Sequence, residues 1–229
     1  MLKKLCALSA LLVLAACATS APRTFTGQFE PPPAGSRVLV MTPDVRLSML
    51  TAAGLQESRA DWSQAGRENL TAALTSTLQS RTHSISHLDP ATAMDGRVGQ
   101  IIRLHEAVGS SIIAIDYMRL PIPTRRDRFD WTLGTGAQEI ATAHNADYAL
   151  FISASGSYAS SGRVMVMIGM AALGAAVPLG GQQVFASLVD LRTGNVIWFN
   201  VATATPNQDM RTTEGAASLT ASLLRDVPL

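Results

Sequence analysis

Four histidines and two cysteines are the side chains in this 229-residue chain best suited to hold a metal or attack a substrate. Their spacing suits neither task. His83 and His87 stand four apart in "HSISH". In a strand they share a face but lie ~13 Å apart, too far for one ion, and the segment lacks the pattern of a helix on which they could ligate together. His105, followed by Glu106, and His144 read as packing or surface residues. The sequence contains no Gly-x-Ser-x-Gly elbow and no Gly-rich phosphate loop ending in Gly-Lys. "GTGAQE" at 134–139 has glycines but no strand before it, and reads as a helix entry. The expectation is a protein that is not an enzyme, with no cofactor and no metal. Binding is better represented. "RLPIPTRRDRFDW" at 119–131 is broken twice by proline and reads as a long ordered loop. Its Arg125, Arg126 and Arg128, with Phe129 and Trp131, are of types enriched in interface hot spots. Asp127 and Asp130 alternate with those arginines and neutralise them locally. A loop that Trp131 simply pins into the core explains the same residues equally well.

One cysteine stands where chemistry could be done to it. Lys3 and Lys4 form a positive amino-terminal region, and Leu5 to Ala16 is almost wholly Leu, Ala and Val. That is the length of a secretory apolar region and too short for a bilayer, which needs ~20 apolar residues. The tetrapeptide Leu14-Ala15-Ala16-Cys17 resembles the bacterial lipobox, in which cleavage precedes the cysteine and acyl chains are added to its thiol and new amine. Three tails at ~0.8 kcal/mol per buried CH₂ anchor a protein firmly, where one tail binds only marginally. Ala18 follows the cysteine where, by the same resemblance, an aspartate would favour retention at the inner membrane. The expected location is therefore the outer membrane, lipid-anchored on the periplasmic face. Residues 1–16 read as a lipoprotein signal peptide, 17–36 as the lipidated Cys17 and a Pro-rich tether, and 37–229 as one periplasmic domain. Cys6 leaves with the signal peptide, so the mature chain has no thiol free for a disulfide, a metal or a nucleophile. The loss of Lys3 and Lys4 takes the formal charge from +1 to about −1, which excludes the strongly basic face that nucleic acid requires.

The elements that must position these residues follow from periodicity. Val38–Met41 is a continuous apolar run ending before Pro43, the pattern of a buried strand. Val45, Leu47 and Met49 alternate with polar residues as in an extended edge segment. Asp61 with Gln64 suggests a capping box, and Trp62, Ala65, Leu70, Ala73, Leu74 and Leu78 give the following helix one buried face. Ser84–Leu88 reads as a short strand and Asp95–Met118 as largely helical. Ala137, Ile140, Ala141 and His144 line a helix ending near Asn145, and Tyr148–Ile152 is a buried strand. The run from Val184 through "DLRTGN" to Phe199 reads as a β-hairpin with a positive-φ turn, and Thr212–Leu224 as a closing helix. The expected fold class is α/β: a single domain with helices packed on a mixed β-sheet that contains a C-terminal hairpin.

The order helix, "ADYAL" strand, then hairpin "ASLVDLRTGNVIW" resembles the periplasmic domain of curli-secretion-type lipoproteins and their relatives. That superfamily also holds peptidoglycan-synthase activators and the amino-terminal domain of the Tol-system propeller protein. Proteobacterial lipoproteins sharing "FDWTLG" and "SLVDLRTG" are similar as well, and the resemblance covers roughly residues 36–226. It implies that Asp147 starts the strand, that Asp190 and Gly194 serve the turn, and that Trp198 fills the core. It departs from the pore proteins proper, whose membrane strands alternate apolar and polar residues over ~10 positions; no such pair of segments is visible.

Val164 to Val189 contains no charged residue. As a helix, Val164–Val177 would be ~21 Å long, short of the ~30 Å needed to span. The leading reading is a buried helix or helical hairpin whose Gly169, Ala172 and Gly174 allow close packing. An exposed face for self-association and shallow insertion into a nearby membrane are the other two. The function expected is a non-enzymatic envelope-assembly or secretion accessory that meets envelope proteins or itself. The alternative is an oligomeric secretion channel component of curli-pore type.

Overall fold

The computed structural model describes residues 21–81, 83–123 and 128–229. Residues 1–20, with the expected signal peptide and Cys17, and Arg125, Arg126 and Asp127 lie outside the described residues. The strands are β1 (Arg23–Thr24), β2 (Arg37–Met41), β3 (Asp44–Leu50), β4 (Gln56–Ser58), β5 (Ser84–Leu88), β6 (Tyr148–Ala159), β7 (Gly180–Asp190) and β8 (Val196–Thr203). The helices are α1 (Ala60–Gln79), α2 (Gly96–Ile112), α3 (Gln138–His144), α4 (Ser161–Ala172) and α5 (Thr213–Leu223). A π-helical turn, Ile113–Tyr117, continues α2.

The strands form one mixed sheet in the order β1-β8-β7-β6-β2-β5. β3 prolongs β2 along the same edge of β6: Val38 pairs with Tyr148 and Asp44 with Ser153, both in parallel. Thr42-Pro43 separates the two strands, because proline has no N–H to give a ladder. This break lets β5 take the far edge of β2 and β4 the far edge of β3. The segment 44–50 was expected at an edge; it is flanked on both sides, and Val45, Leu47 and Leu50 are buried.

Alternation along the strands divides the core into two. Val38, Val40, Leu150, Leu188 and Trp198 face α1 and α5, which contribute Leu70, Leu74, Leu78, Leu219 and Leu223. Leu39, Met41, Phe151, Val189 and Phe199 face α2 and α3 with Ile101, Ile102 and Ile140. The domain is thus three layers, α/β/α, and the α/β class expected from the sequence is correct. Burying Phe199 alone is worth roughly 1.5–3 kcal/mol.

Four local features differ from the sequence reading. α1 begins at Ala60, so Asp61 lies in its first turn and pairs with Arg59, while Gln64 bonds Glu68; no capping box forms. The second half of β6, Ser155–Ala159, reads as loop by composition yet is strand, because β3 and β7 hold it from both sides. Residues 21–36, expected within a tether, lie against the domain where described: Arg23 and Thr24 pair with Phe199 and Trp198, and Phe29 packs on the core. Finally, the apolar segment expected in the core forms α4, and no residue of α4 is buried.

Candidate functional site

The described parts of the loop singled out by its arginines, 119–123 with Arg128 and Phe129, line an open cleft of about 770 Å³. Three elements build the cleft. The π-turn after α2 carries Ile115, Asp116 and, just beyond, Arg119 to Pro123; β1 supplies Arg23 and Thr24; Arg128 and Phe129 close the third side. The π-turn widens the end of α2, and the Tyr117 hydroxyl donates to the Phe199 carbonyl at 3.0 Å. Burial pushes that phenol well above its usual range. Arg119 then adopts a left-handed conformation with φ 58°, which redirects the chain along the cleft rim.

Asp116 is the hub. Its side chain accepts from the indole N–H of Trp131 at 2.8 Å, and its main-chain oxygen accepts from the Arg23 guanidinium at 3.2 Å. Thr26 joins the same corner, its N–H donating to the Phe129 carbonyl at 2.9 Å. The residues picked from the sequence therefore divide. Phe129 is 4% exposed and Trp131 half-buried, so both fasten the loop to the core. Arg128 is exposed and pairs with Asp130 at 2.8 Å. Arg23, Asp116 and Arg119, which the sequence reading did not single out, complete the cleft. Among the described residues the lining carries three arginines against one carboxylate, and that carboxylate is already engaged by Trp131. Leu120, 57% exposed, and Met118, 76% exposed, place apolar surface beside these charges.

The histidines do not meet. His87 lies in β5 and His83 precedes it, while His105 and His144 belong to α2 and α3. Among the described residues there is no group of three metal-ligating side chains. His105 has a partner that only the fold reveals: its Nε2 lies 2.5 Å from the Ser187 hydroxyl. The ring stacks on Phe151 with centroids 3.8 Å apart. Burial lowers its pKa to about 3, so the imidazole is neutral. A Ser–His pair can generate a nucleophile where substrate reaches the serine and a third group orients the base. Ser187 is 0% and His105 5% exposed. The pair instead supplies one hydrogen bond inside an apolar layer.

A second polar knot ties the far end of the sheet. The Arg211 guanidinium lies 3.5 Å from the Tyr158 ring centre and 4.7 Å from that of Trp62, and Arg59 also covers Trp62 at 4.2 Å. Asp209 holds Arg211 and sits 2.7 Å from the Tyr158 hydroxyl, whose pKa is raised by burial and by that carboxylate. These contacts join α1, β6 and the loop before α5. Near the other end, Asp147 accepts from the Arg37 backbone N–H and guanidinium, and these hydrogen bonds hold its carboxyl down to about 2. Asp147 thus fixes the start of β6 against β2.

α4 is the other unusual surface. Ser160 caps it by accepting from the Arg163 N–H, and Gly174, at φ 77°, ends it. Its first turn rests on the domain: Gly162 lies over Ala52, and Arg163 lies against Gly54 while donating to the Pro178 carbonyl. Beyond that turn Met165, Ile168 and Leu173 are 67%, 54% and 80% exposed. No helix among the described residues is long and apolar enough to cross a membrane.

Comparison with known proteins gives no match to any family model and none to any curated protein. Solved structures do resemble the chain. A PelC dodecamer from Paraburkholderia phytofirmans covers 92% of this chain and 98% of its own at 15% identity, with a TM-score of 0.38. The LpoB C-terminal domain from Salmonella enterica covers 75% and 84% at 18% identity, with a TM-score of 0.29. Lipoprotein GNA1162 from Neisseria meningitidis covers 74% and 81% at 14% identity, with a TM-score of 0.31. At such scores and identities these neighbours speak to neither activity nor partner.

Proposed function

We propose that this chain is a non-enzymatic lipoprotein, anchored through Cys17 at the periplasmic face of the outer membrane, that docks an envelope protein in the cleft lined by β1, residues 115–123, Arg128 and Phe129. The observation that carries the docking reading is the cleft's composition. Arg23, Arg119 and Arg128 line it, Asp116, the one carboxylate among its described lining residues, is occupied by Trp131, and Leu120 and Ile122 add apolar contact. Such a surface suits a partner segment that is acidic with apolar side chains between its charges. Phe129, Trp131 and Tyr117 hold the walls, so little ordering cost falls on the binding step. The anchor reading is supported by the lipobox-like Leu14-Ala15-Ala16-Cys17.

The test is crosslinking in cells from a photoreactive side chain at Leu120, compared with the same chain carrying Arg119→Glu and Arg128→Glu. Both arginines lie at the surface, so folding, checked by the thermal transition, should be unchanged. The expected result is a discrete adduct in the parent that is lost on charge reversal. An adduct that persists unaltered would remove the cleft from the account.

A further inference from the structure

α4 needs a cover. From Val164 on it is apolar all round, none of its residues is buried, and no charged residue lies between Arg163 and Asp190. A helix of this kind is stable where apolar matter surrounds it. Leu55 in the adjoining turn is 69% exposed, and Leu179 after the helix 39%, so apolar surface continues beyond α4. What lies there can be read from the strand directions.

β8 runs parallel to β6, because each is antiparallel to β7, and β1 runs antiparallel to β8. Going backward along the chain from Arg23 therefore leads in the direction in which β6 runs forward to α4. The registers give the levels: Arg23 pairs with Phe199, Phe199 with Ser187, and Ser187 with Phe151. Ala21 and Pro22 continue this course beside Asn200, Val201 and Ala202. Cys17 stands four positions before Ala21, a reach of at most ~14 Å. At ~3.3 Å per residue that is the same climb that carries β6 from Ser153 to Ser157, one residue short of the pair Tyr158–Gly180 that closes the hairpin below α4. Traced backward from Arg23, the described chain thus heads toward the end of the sheet that bears α4, and the residue expected to carry lipid lies within ~14 Å of Ala21.

We propose that α4 and the turn after it insert into the lipid leaflet that holds the acyl chains of Cys17, giving the domain a second, non-covalent membrane contact and a fixed orientation. This rests on the anchor reading above. At 12 residues α4 is ~18 Å long, comparable with one leaflet's share of the ~30 Å hydrocarbon layer and too short to cross both. A leaflet also accounts for the missing polar rim that a docked protein would be expected to meet. Arg163, at the base of the helix and folded back onto Gly54 and the Pro178 carbonyl, sits where the headgroups would begin.

The test uses the full chain, extracted from membranes, carrying Ile168→Cys labelled with a polarity-sensitive fluorophore. It is reconstituted into phosphatidylethanolamine vesicles containing phosphatidylglycerol, with Glu139→Cys on α3, at the opposite end, as reference. The inference requires blue-shifted emission at 168 that is quenched by nitroxide-bearing lipids, with neither effect at 139. Emission at 168 matching that at 139 would overturn it. A blue shift without lipid quenching would overturn it too, since a second copy of the chain would then be the cover. The intact mass of the same sample separates the two claims. An acylated Cys17 with a water-exposed probe sinks insertion alone, whereas an unacylated Cys17 sinks the anchor and with it the reason for placing lipid at this end.

Discussion

At the scale of the residue, the polar groups inside this domain serve cohesion. Trp131 Nε1 finds Asp116, Tyr117 finds the Phe199 carbonyl, and His105 finds Ser187. The last pair makes a prediction about pH. His105 is neutral in the fold with a pKa of about 3, while the unfolded ring titrates near 6.5. Below pH ~6.5 the unfolded chain takes up a proton that the folded chain refuses. The stability this residue contributes is complete above that pH and is lost as pH falls toward about 3, by up to ~1.4 kcal/mol per unit. The urea midpoint should fall between pH 7 and pH 5, and His105→Gln, which keeps a polar group for Ser187 but cannot titrate, should fall less. An equal decline in both would contradict the assignment. Asp147 works in a lower window. Its carboxyl is held at about 2 by Arg37, so its contribution is present above the ordinary range near 4 and is lost as pH falls through about 2. At pH 5 it is silent.

At the scale of the element, the β7–β8 hairpin is the joint between sheet and loop. The Gly194 N–H donates to the Asp190 carbonyl at 2.7 Å, and its own carbonyl accepts from the Leu133 N–H at 2.8 Å. Gly194 has φ 77°, and a Cβ there would collide with the main chain of Gly134. Gly194→Ala should therefore cost about 1–3 kcal/mol, read as a lower urea midpoint with an unchanged slope. An unaltered midpoint would mean the turn can relax. This hairpin was legible in the sequence, as were β2, β5, the first half of β6, α1 and α5, because each carries its own period or turn residues. β1 was not. Its two residues pair with Phe199 and Trp198, some 175 positions away, and nothing local in Arg23-Thr24 announces that. The second half of β6 was hidden for a related reason: Ser155 to Ala159 has no apolar alternation, and the ladders on both sides hold it. In the cleft, Arg128, Phe129 and Trp131 were visible as residue types in one loop. Arg23, Asp116 and Arg119 come from other segments and meet only through the π-turn and the edge strand. α4 misled by composition, since apolar content signals that a helix will be covered but not by what.

At the scale of the whole molecule, the account assigns three roles to three regions. In the proposal, the three-layer core carries the arginine-lined cleft as a docking surface and turns the end bearing α4 toward lipid. By the same proposal, an acylated Cys17, at most ~14 Å beyond Ala21, holds the membrane near the domain, so the proposed orientation rests on that covalent step. The most direct measurement is the intact mass and amino-terminal sequence of the chain extracted from membranes. The account predicts a mature chain beginning at Cys17, with a diacylglyceryl thioether on the sulfur and an acyl chain on the amine. A chain that begins elsewhere, or one with a free thiol at Cys17, would contradict it.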